Sequence, residues 1–312
     1  MSEGRHIPVL LSECIQYLNL EPGMAIADGT FGGGGHSAEI LKRILPDGTL
    51  IGIDKDPEAI LRGEKIFSLY SKNVRLVHDD YMNIERILSN LNIKEIDGAL
   101  LDLGVSSFQL DDQARGFSYK ADVMLDMRMD NTKGITARDV VNGYSANQLA
   151  DIFFRYGEEK WSKRIAEFIV LRRKTKEIST SGELTEVIKA AVPVAARKEE
   201  KYPQMRVFQA IRIEVNDELK NLQMALDGFS KVIRPGGRLC VITFHSLEDR
   251  IVKQFFNKMQ DPCECPPDAP ICICGKEPTG KVLTRKPVLP QNSEITLNSR
   301  AKSAKLRVVE LL

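Results

Sequence analysis

The first hundred residues alternate short apolar runs with amphipathic ones, and this rhythm constrains the fold more than any other feature of the chain. Residues 24–27, 50–53, 74–77 and 96–101 read as strands, and residues 37–45, 58–69 and 83–91 between them read as helices. The run 96–101 leaves too little polarity for a wet face, so the sheet must be covered on both sides. Such an alternation predicts a parallel, doubly wound α/β sheet of Rossmann-like type.

The rhythm breaks after Asp102. Residues 107–203 contain no convincing strand but several helical patterns, one of them opened by the capping box Thr180-Ser181-Gly182-Glu183 ahead of Leu184, Val187 and Ile188. One long helix is expected to carry Phe208, Ile211, Val215, Leu219, Leu222, Leu226 and Phe229 on a single apolar face. Pro235-Gly236-Gly237 then reads as a tight turn launching a strand over 239–244, and 305–311 alternates as a final strand. The expected division is a sheet domain in two parts, 1–106 and 207–312, around an all-helical insertion, 107–206. At 43% hydrophobic and 28% charged the composition suits a globular chain. No run approaches the ~18 apolar residues of a membrane span. The N-terminus lacks the basic-then-apolar order of a signal peptide, so a cytoplasmic protein without a membrane partner is expected.

The first strand runs into Asp28-Gly29-Thr30-Phe31-Gly32-Gly33-Gly34-Gly35-His36 and then a helix, where a doubly wound sheet binds nucleotide-like ligands. Gly33, Gly35 and Ala38 satisfy the G-x-G-x-x-A dinucleotide fingerprint, and Asp54 ends the second strand, placed for ribose hydroxyls. Alone, this favours NAD and an oxidoreductase. Asp28 argues against it, because a carboxylate at the mouth of the loop repels a pyrophosphate on the helix N-terminus. S-adenosylmethionine carries an ammonium and a sulfonium instead, which an acidic loop attracts. Asp102 ends the fourth strand beside this loop and is either a turn cap or a functional carboxylate. Tyr81, after the third strand, either lies against an adenine or is an ordinary half-buried aromatic.

The chain is neutral overall, with 44 basic and 43 acidic residues, but the charges are segregated. Residues 79–130 carry eleven acidic side chains against five basic, whereas 276–307 carry eight basic against two acidic. The basic segment is a candidate for a phosphate backbone, as is the cluster Lys160, Lys163, Arg164, Arg172, Arg173 and Lys174 around Trp161 and Phe168; the alternative for each is a solvated surface. Cys263, Cys265, Cys272 and Cys274 are numerous enough for a tetrahedral zinc site, but each pair has one intervening residue where the usual knuckle has two, so free thiols or a redox pair remain alternatives and no metal ligand is assigned.

Several long motifs occur in one order: His6-Ile7-Pro8-Val9-Leu10-Leu11, the loop from Asp28 to His36, Asp102-Leu103-Gly104-Val105-Ser106-Ser107 with Gln109, Arg115-Gly116-Phe117-Ser118, Leu125-Asp126-Met127-Arg128-Met129-Asp130, Tyr156-Gly157-Glu158-Glu159 and Phe244-His245-Ser246-Leu247-Glu248-Asp249-Arg250. In these the chain resembles the ribosomal RNA small subunit methyltransferase H family over almost its whole length. The resemblance implies a class I S-adenosylmethionine-dependent methyltransferase sheet with an inserted helical domain for substrate recognition. It implies methylation of the N4 amino group of a cytidine in the decoding region of 16S ribosomal RNA, with the small ribosomal subunit as partner; the enzyme's own assembly stays open, a homodimer being one option. It also places Gly34, Gly35, His36, Asp54, Tyr81, Asp102 and Gln109 at cofactor-contacting positions. Asp102, or a backbone carbonyl beside it, is the candidate catalytic acceptor for the amino protons. Leu103-Gly104-Val105 lacks the prolines and aromatic of DNA amino methyltransferases, which leaves the residue that stacks on the cytosine open. His245 and Ser246 either line the same pocket or serve the turn. A ribosome-assembly protein without catalysis is the remaining rival, opposed by the intact loop, Asp54 and Asp102.

Overall fold

The computed structural model describes residues 8–119, 122–194, 202–266 and 273–312; His6, Ile7 and Cys272 of the motifs above lie outside them. The chain divides into two compact units, Met1–Gly104 with Leu219–Leu312, and Val105–Glu218.

The first unit is built on a seven-stranded sheet: β1 (Ala25–Asp28), β2 (Thr49–Asp54), β3 (Val74–His78), β4 (Ile96–Asp102), β5 (Ile233–Thr243), β6 (Gly280–Val282) and β7 (Lys305–Leu311). Their order is β3-β2-β1-β4-β5-β7-β6, with β1 to β5 parallel and β7 antiparallel to both its neighbours. The arrangement is the Rossmann-like methyltransferase sheet expected above. The first part of the chain supplies the helices α1 (Leu11–Leu18), α2 (Gly35–Ile44), α3 (Pro57–Ile66) and α4 (Ile84–Asn90) to its layers. The strands read as apolar throughout because successive side chains enter different cores. Leu100, Cys240 and Ile242 join α1 and α2 on one face, whereas Ala99, Leu101, Leu239 and Val241 join α4 on the other.

The second unit contains no strand among its described residues, only an isolated bridge between Met124 and Thr180. Its helices are α5 (Ser107–Asp111), α6 (Ala137–Gly143), α7 (Ala146–Arg155), α8 (Ser162–Arg173), α9 (Ser181–Ala191) and α10 (Pro203–Asn216). Thr136, Ser145 and Thr180 open α6, α7 and α9 with reciprocal capping boxes, the last as the sequence indicates. Phe153, Ile165, Ile169, Leu184, Ile188, Val207 and Ile211 fill the core. Trp161 and Phe168 flank it, and Arg164 lies over the Phe168 ring at 5.5 Å. Those aromatics are therefore packing residues, not an open stacking platform.

Two expectations change. The single long helix of the sequence reading is two helices, α10 and α11 (Glu218–Val232), separated by Asp217 at φ 52°. The last residue of α10, Asn216, is held in place as its carboxamide accepts the Met129 N–H and donates to the Met127 carbonyl, both at 2.8 Å. The expected return at 207 thus falls inside α10, whose Val207, Phe208, Ala210 and Ile211 are core of the helical unit, and the chain re-enters the first unit only at Leu219. Pro235-Gly236-Gly237 does not precede β5 but bulges within it: Ile233 pairs with Ile96 and Arg238 with Gly98, so four residues on one strand face one on the other. After β5, α12 (Ser246–Gln260) returns to the core shared by α4 and α11, and α13 (Asn292–Leu297) supplies Glu294, which accepts the Leu10 N–H at the start of α1.

In the helical unit Glu159 is fully buried and binds Arg206 Nε at 2.7 Å and the Trp161 N–H at 2.9 Å. Glu159→Ala removes the buried carboxylate that faces Arg206 and accepts the Trp161 N–H, and a loss of about 3 kcal/mol is expected. Glu186→Ala, which breaks only an exposed pair with Lys189, should cost under ~1 kcal/mol. Urea unfolding followed by Trp161 fluorescence measures both.

Candidate active site

Three carboxylates gather at one edge of the sheet because three adjacent strands end on them: β1 on Asp28, β2 on Asp54 and β4 on Asp102. The edge between β1 and β4 is where the strand order reverses, the crevice in which doubly wound sheets take ligands. The loop after β1 stays bound to both neighbouring strands, with Gly29 N–H donating to Leu100 and Phe31 N–H to Ile53.

Each acid also fastens part of this loop. Asp28, 1% exposed, accepts the Ser37 hydroxyl at 2.7 Å and the Thr30 N–H at 3.2 Å, tying the strand to the first turn of α2. Asp54 accepts the N–H groups of Gly32 at 2.7 Å and Asp56 at 2.8 Å. Thr30 Oγ1 in turn accepts the Asp102 N–H at 2.6 Å. The glycines answer to packing as well as to any ligand. Gly34 has φ +73°, and a Cβ there would lie 2.9 Å from the Phe31 ring; at Gly35 it would lie 2.4 Å from Pro8. His36, in the first turn of α2, places Nε2 3.0 Å from the Val9 carbonyl. A carbonyl only accepts, so Nε2 carries the hydrogen and Nδ1 is turned toward Asp102 Oδ2, 3.8 Å away.

Asp102 is the least satisfied of the three: its Oδ1 is buried and accepts no hydrogen bond from the described residues. Burial raises its pKa to about 8, and the charges of Asp28 and Glu248 push it the same way. Burial likewise raises Asp28 and Asp54 to about 6 each, partly offset by the hydrogen bonds they accept. Acids crowded into a poorly solvated crevice favour a cation and disfavour a pyrophosphate. The chemistry of the donor set therefore fits the ammonium and sulfonium of S-adenosylmethionine and counts against the dinucleotide suggested by the glycine fingerprint.

Tyr81 stands against the loop from β3's side; a Cβ on Gly29 would lie 3.1 Å from its own Cβ. The turn that carries it is held by Asp80, which is buried and binds Lys55 and Asn221 at 2.9 Å each and the Met82 N–H at 3.0 Å. Gln109 belongs to the helical unit, where it is buried and completes the capping box of α5 with Ser106. His245 is the N-cap of α12: its Nδ1 accepts the Glu248 N–H, while the Glu248 carboxylate accepts the N–H groups of Phe244 and His245. The turn function, left open in the sequence, is thus the one its geometry shows. Sequence reasoning passed over Thr30, Ser37, Asp80 and Val9, since a hydroxyl in a loop and a backbone carbonyl give no pattern to read.

Because the folded pKa of Asp102 lies above its ordinary value of 3.8, its ionisation opposes folding of the ligand-free protein. That cost is absent below about pH 4 and grows as pH rises toward 8. Ligand-free Asp102→Asn should match the parent's melting temperature only near pH 4 and below, and exceed it at pH 8.5 by an amount equivalent to a few kcal/mol. Equal melting curves at both pH values would mean that Asp102 ionises without penalty.

The sequence comparisons are consistent with this site. The MraW methylase family model matches residues 3–312. A protein of Agathobacter rectalis named Ribosomal RNA small subunit methyltransferase H 2 is 50% identical over 99% of this chain and 98% of its own. Proteins named Ribosomal RNA small subunit methyltransferase H from Symbiobacterium thermophilum (50% identical, 97% of this chain and 96% of theirs) and Acetivibrio thermocellus (51%, 99% and 99%) are similar throughout. Matched over residues 3–312, the chain belongs to the MraW methylase family and is an S-adenosylmethionine-dependent methyltransferase.

Proposed function

We propose that this methyltransferase modifies the N4 amino group of a cytidine in the decoding region of 16S ribosomal RNA within the small ribosomal subunit. The end-to-end likeness to proteins named for small-subunit ribosomal RNA supports the substrate class. The observation that carries the chemistry is the buried, unpartnered Oδ1 of Asp102 at the end of β4.

In the proposed site, Gly34, Gly35 and His36 form the loop side of the cofactor cradle. Asp54 accepts the ribose hydroxyls, Tyr81 lies along the adenine, and Asp102 faces the reacting end. The place of Gln109 rests on the family resemblance alone. S-adenosylmethionine, when bound, supplies an electrophilic methyl group on a sulfonium. The cytosine amino lone pair is delocalised into the ring, so the nitrogen must be held in line with that methyl, and positioning supplies most of the rate. Asp102 accepts a hydrogen bond from the amino group, which draws its lone pair out of conjugation, and would hold the proton that the nitrogen gives up. A cationic ligand favours the carboxylate form of Asp102 that this role requires. His36, with Nε2 donating to the Val9 carbonyl, keeps its other ring nitrogen 3.8 Å from Asp102 Oδ2, beyond hydrogen-bond reach.

The RNA is assigned to the cations left exposed. Of the basic C-terminal segment, Arg307 and Lys305 are held by Asp249, at 2.6 and 3.3 Å, and Lys276 by Glu264. Lys281, Arg285, Lys286 and Lys302 face solvent, as do Lys160, Lys163 and Arg164 of the helical unit.

Incubation with labelled S-adenosylmethionine and small ribosomal subunits, followed by nucleoside mass spectrometry, should yield N4-methylcytidine; 5-methylcytidine would sink the assignment. In the same assay Asp102→Ala should lower kcat about 10²–10⁴-fold, and unchanged turnover with unchanged cofactor affinity would remove Asp102 from the mechanism. RNA affinity should fall with salt, and Lys281→Ala with Lys286→Ala should flatten the log–log slope by about 0.7–0.9 for each phosphate no longer neutralised. A slope that the double substitution leaves unchanged would clear this segment of any part in RNA binding.

A further inference from the structure

The segment between α12 and β6 has little to hold it by burial. Its described residues, 261–266 and 273–279, are all exposed or half-buried, and Ile273 is 88% exposed. Its ends are tied to the unit by Thr279, whose N–H donates to Met259 and whose carbonyl accepts from Leu312. Within it, however, three cysteines far from the acidic strand ends in sequence converge. The Sγ atoms of Cys263, Cys265 and Cys274 all lie within 4.8 Å of one another, with Cys263 and Cys274 at 3.9 Å. Sulfurs bound to one zinc at ~2.3 Å sit about 3.8 Å apart at the corners of a tetrahedron. A disulfide would hold two of them at ~2.05 Å. The Ile273 N–H points at Cys265 Sγ from 3.4 Å, the backbone hydrogen bond that offsets charge on a metal-bound thiolate.

We propose that Cys263, Cys265 and Cys274 hold a structural zinc ion that closes the segment between α12 and β6. Thiolates are soft donors, which selects zinc over magnesium or calcium, and a fourth donor completes the tetrahedron. The single residue between Cys263 and Cys265 is no obstacle, because the third sulfur comes from the returning arm of the segment and the chain need not wrap the ion within one turn. The three thiols lose their protons on binding, so occupancy falls in acid. The cross-link does for this segment what a core does elsewhere, fixing chain that buries too little apolar surface to order itself. The inference is independent of the substrate proposed above.

The test is metal analysis of the full-length protein, purified under reducing conditions from zinc-supplemented cells. One zinc per chain is expected in the parent and in Ile273→Ser, which keeps the backbone N–H, and less than a tenth in the Cys263→Ser, Cys274→Ser double variant. Cobalt added to the metal-free protein should give the charge-transfer and visible bands of a tetrahedral thiolate site, bleached by zinc. A mercurial thiol reagent reads the site without substitution: zinc should be released as the exposed thiols react. A zinc content below a tenth in the parent, zinc retained by the double variant, or an iron–sulfur chromophore would each overturn the proposal.

Discussion

The cost of withdrawing carboxylates from water at the C-terminal ends of β1, β2 and β4 is the constraint around which the loop after β1 is arranged. Parallel strands must end together, and here three neighbours end on aspartates. Asp28 and Asp54 are made tolerable by hydrogen bonds from Ser37, Thr30, Gly32 and Asp56. These same bonds shape the loop, so what offsets the gathering of the acids is also what orders the cradle. Asp102 alone keeps an unpartnered oxygen, and it is the group whose proton affinity rises most, to about 8.

That arrangement weighs on the reading of a glycine fingerprint common to dinucleotide enzymes, because acids at the strand ends disfavour a pyrophosphate and favour a cation. Gly34 and Gly35 are needed where Phe31 and Pro8 press against the loop, which makes the glycines a property of the fold, whereas Asp28 and Asp102 make its surroundings acidic. The wider charge segregation follows the same division. Part of the basic excess near the C-terminus is consumed internally, Arg307 lying buried on Asp249, and what remains exposed is smaller than the sequence count implies.

Much of the fold was legible. The strands β1 to β4 and β7 and the helices α2 to α4 fall within a few residues of the apolar runs that announce them, because a two-sided buried strand leaves a pattern in four to seven residues. The break between α10 and α11 was not legible: the apolar spacing continues across Asp217, and only the bonds of Asn216 to Met127 and Met129 show where the helix must stop. The bulge of 234–237 was hidden for a similar reason, since a turn sequence inside a strand looks like a turn before one. Of the site, Asp54 and Asp102 could be placed by counting to strand ends. The partners that make them work, Thr30 and Ser37, could not.

Sequence by itself determined the alternation of elements, the glycine loop after the first strand, the acids at the strand ends and the long motifs that mark the family. These are local properties, written in hydrophobic period and residue type. Tertiary structure alone decided that Asp102 Oδ1 has no partner, that His36 commits one nitrogen to Val9, that His245 caps a helix, and that three cysteines from two arms of a loop meet within 4.8 Å. Each depends on groups distant in the chain or on side-chain rotation, and neither distance nor rotation is encoded in spacing along the sequence.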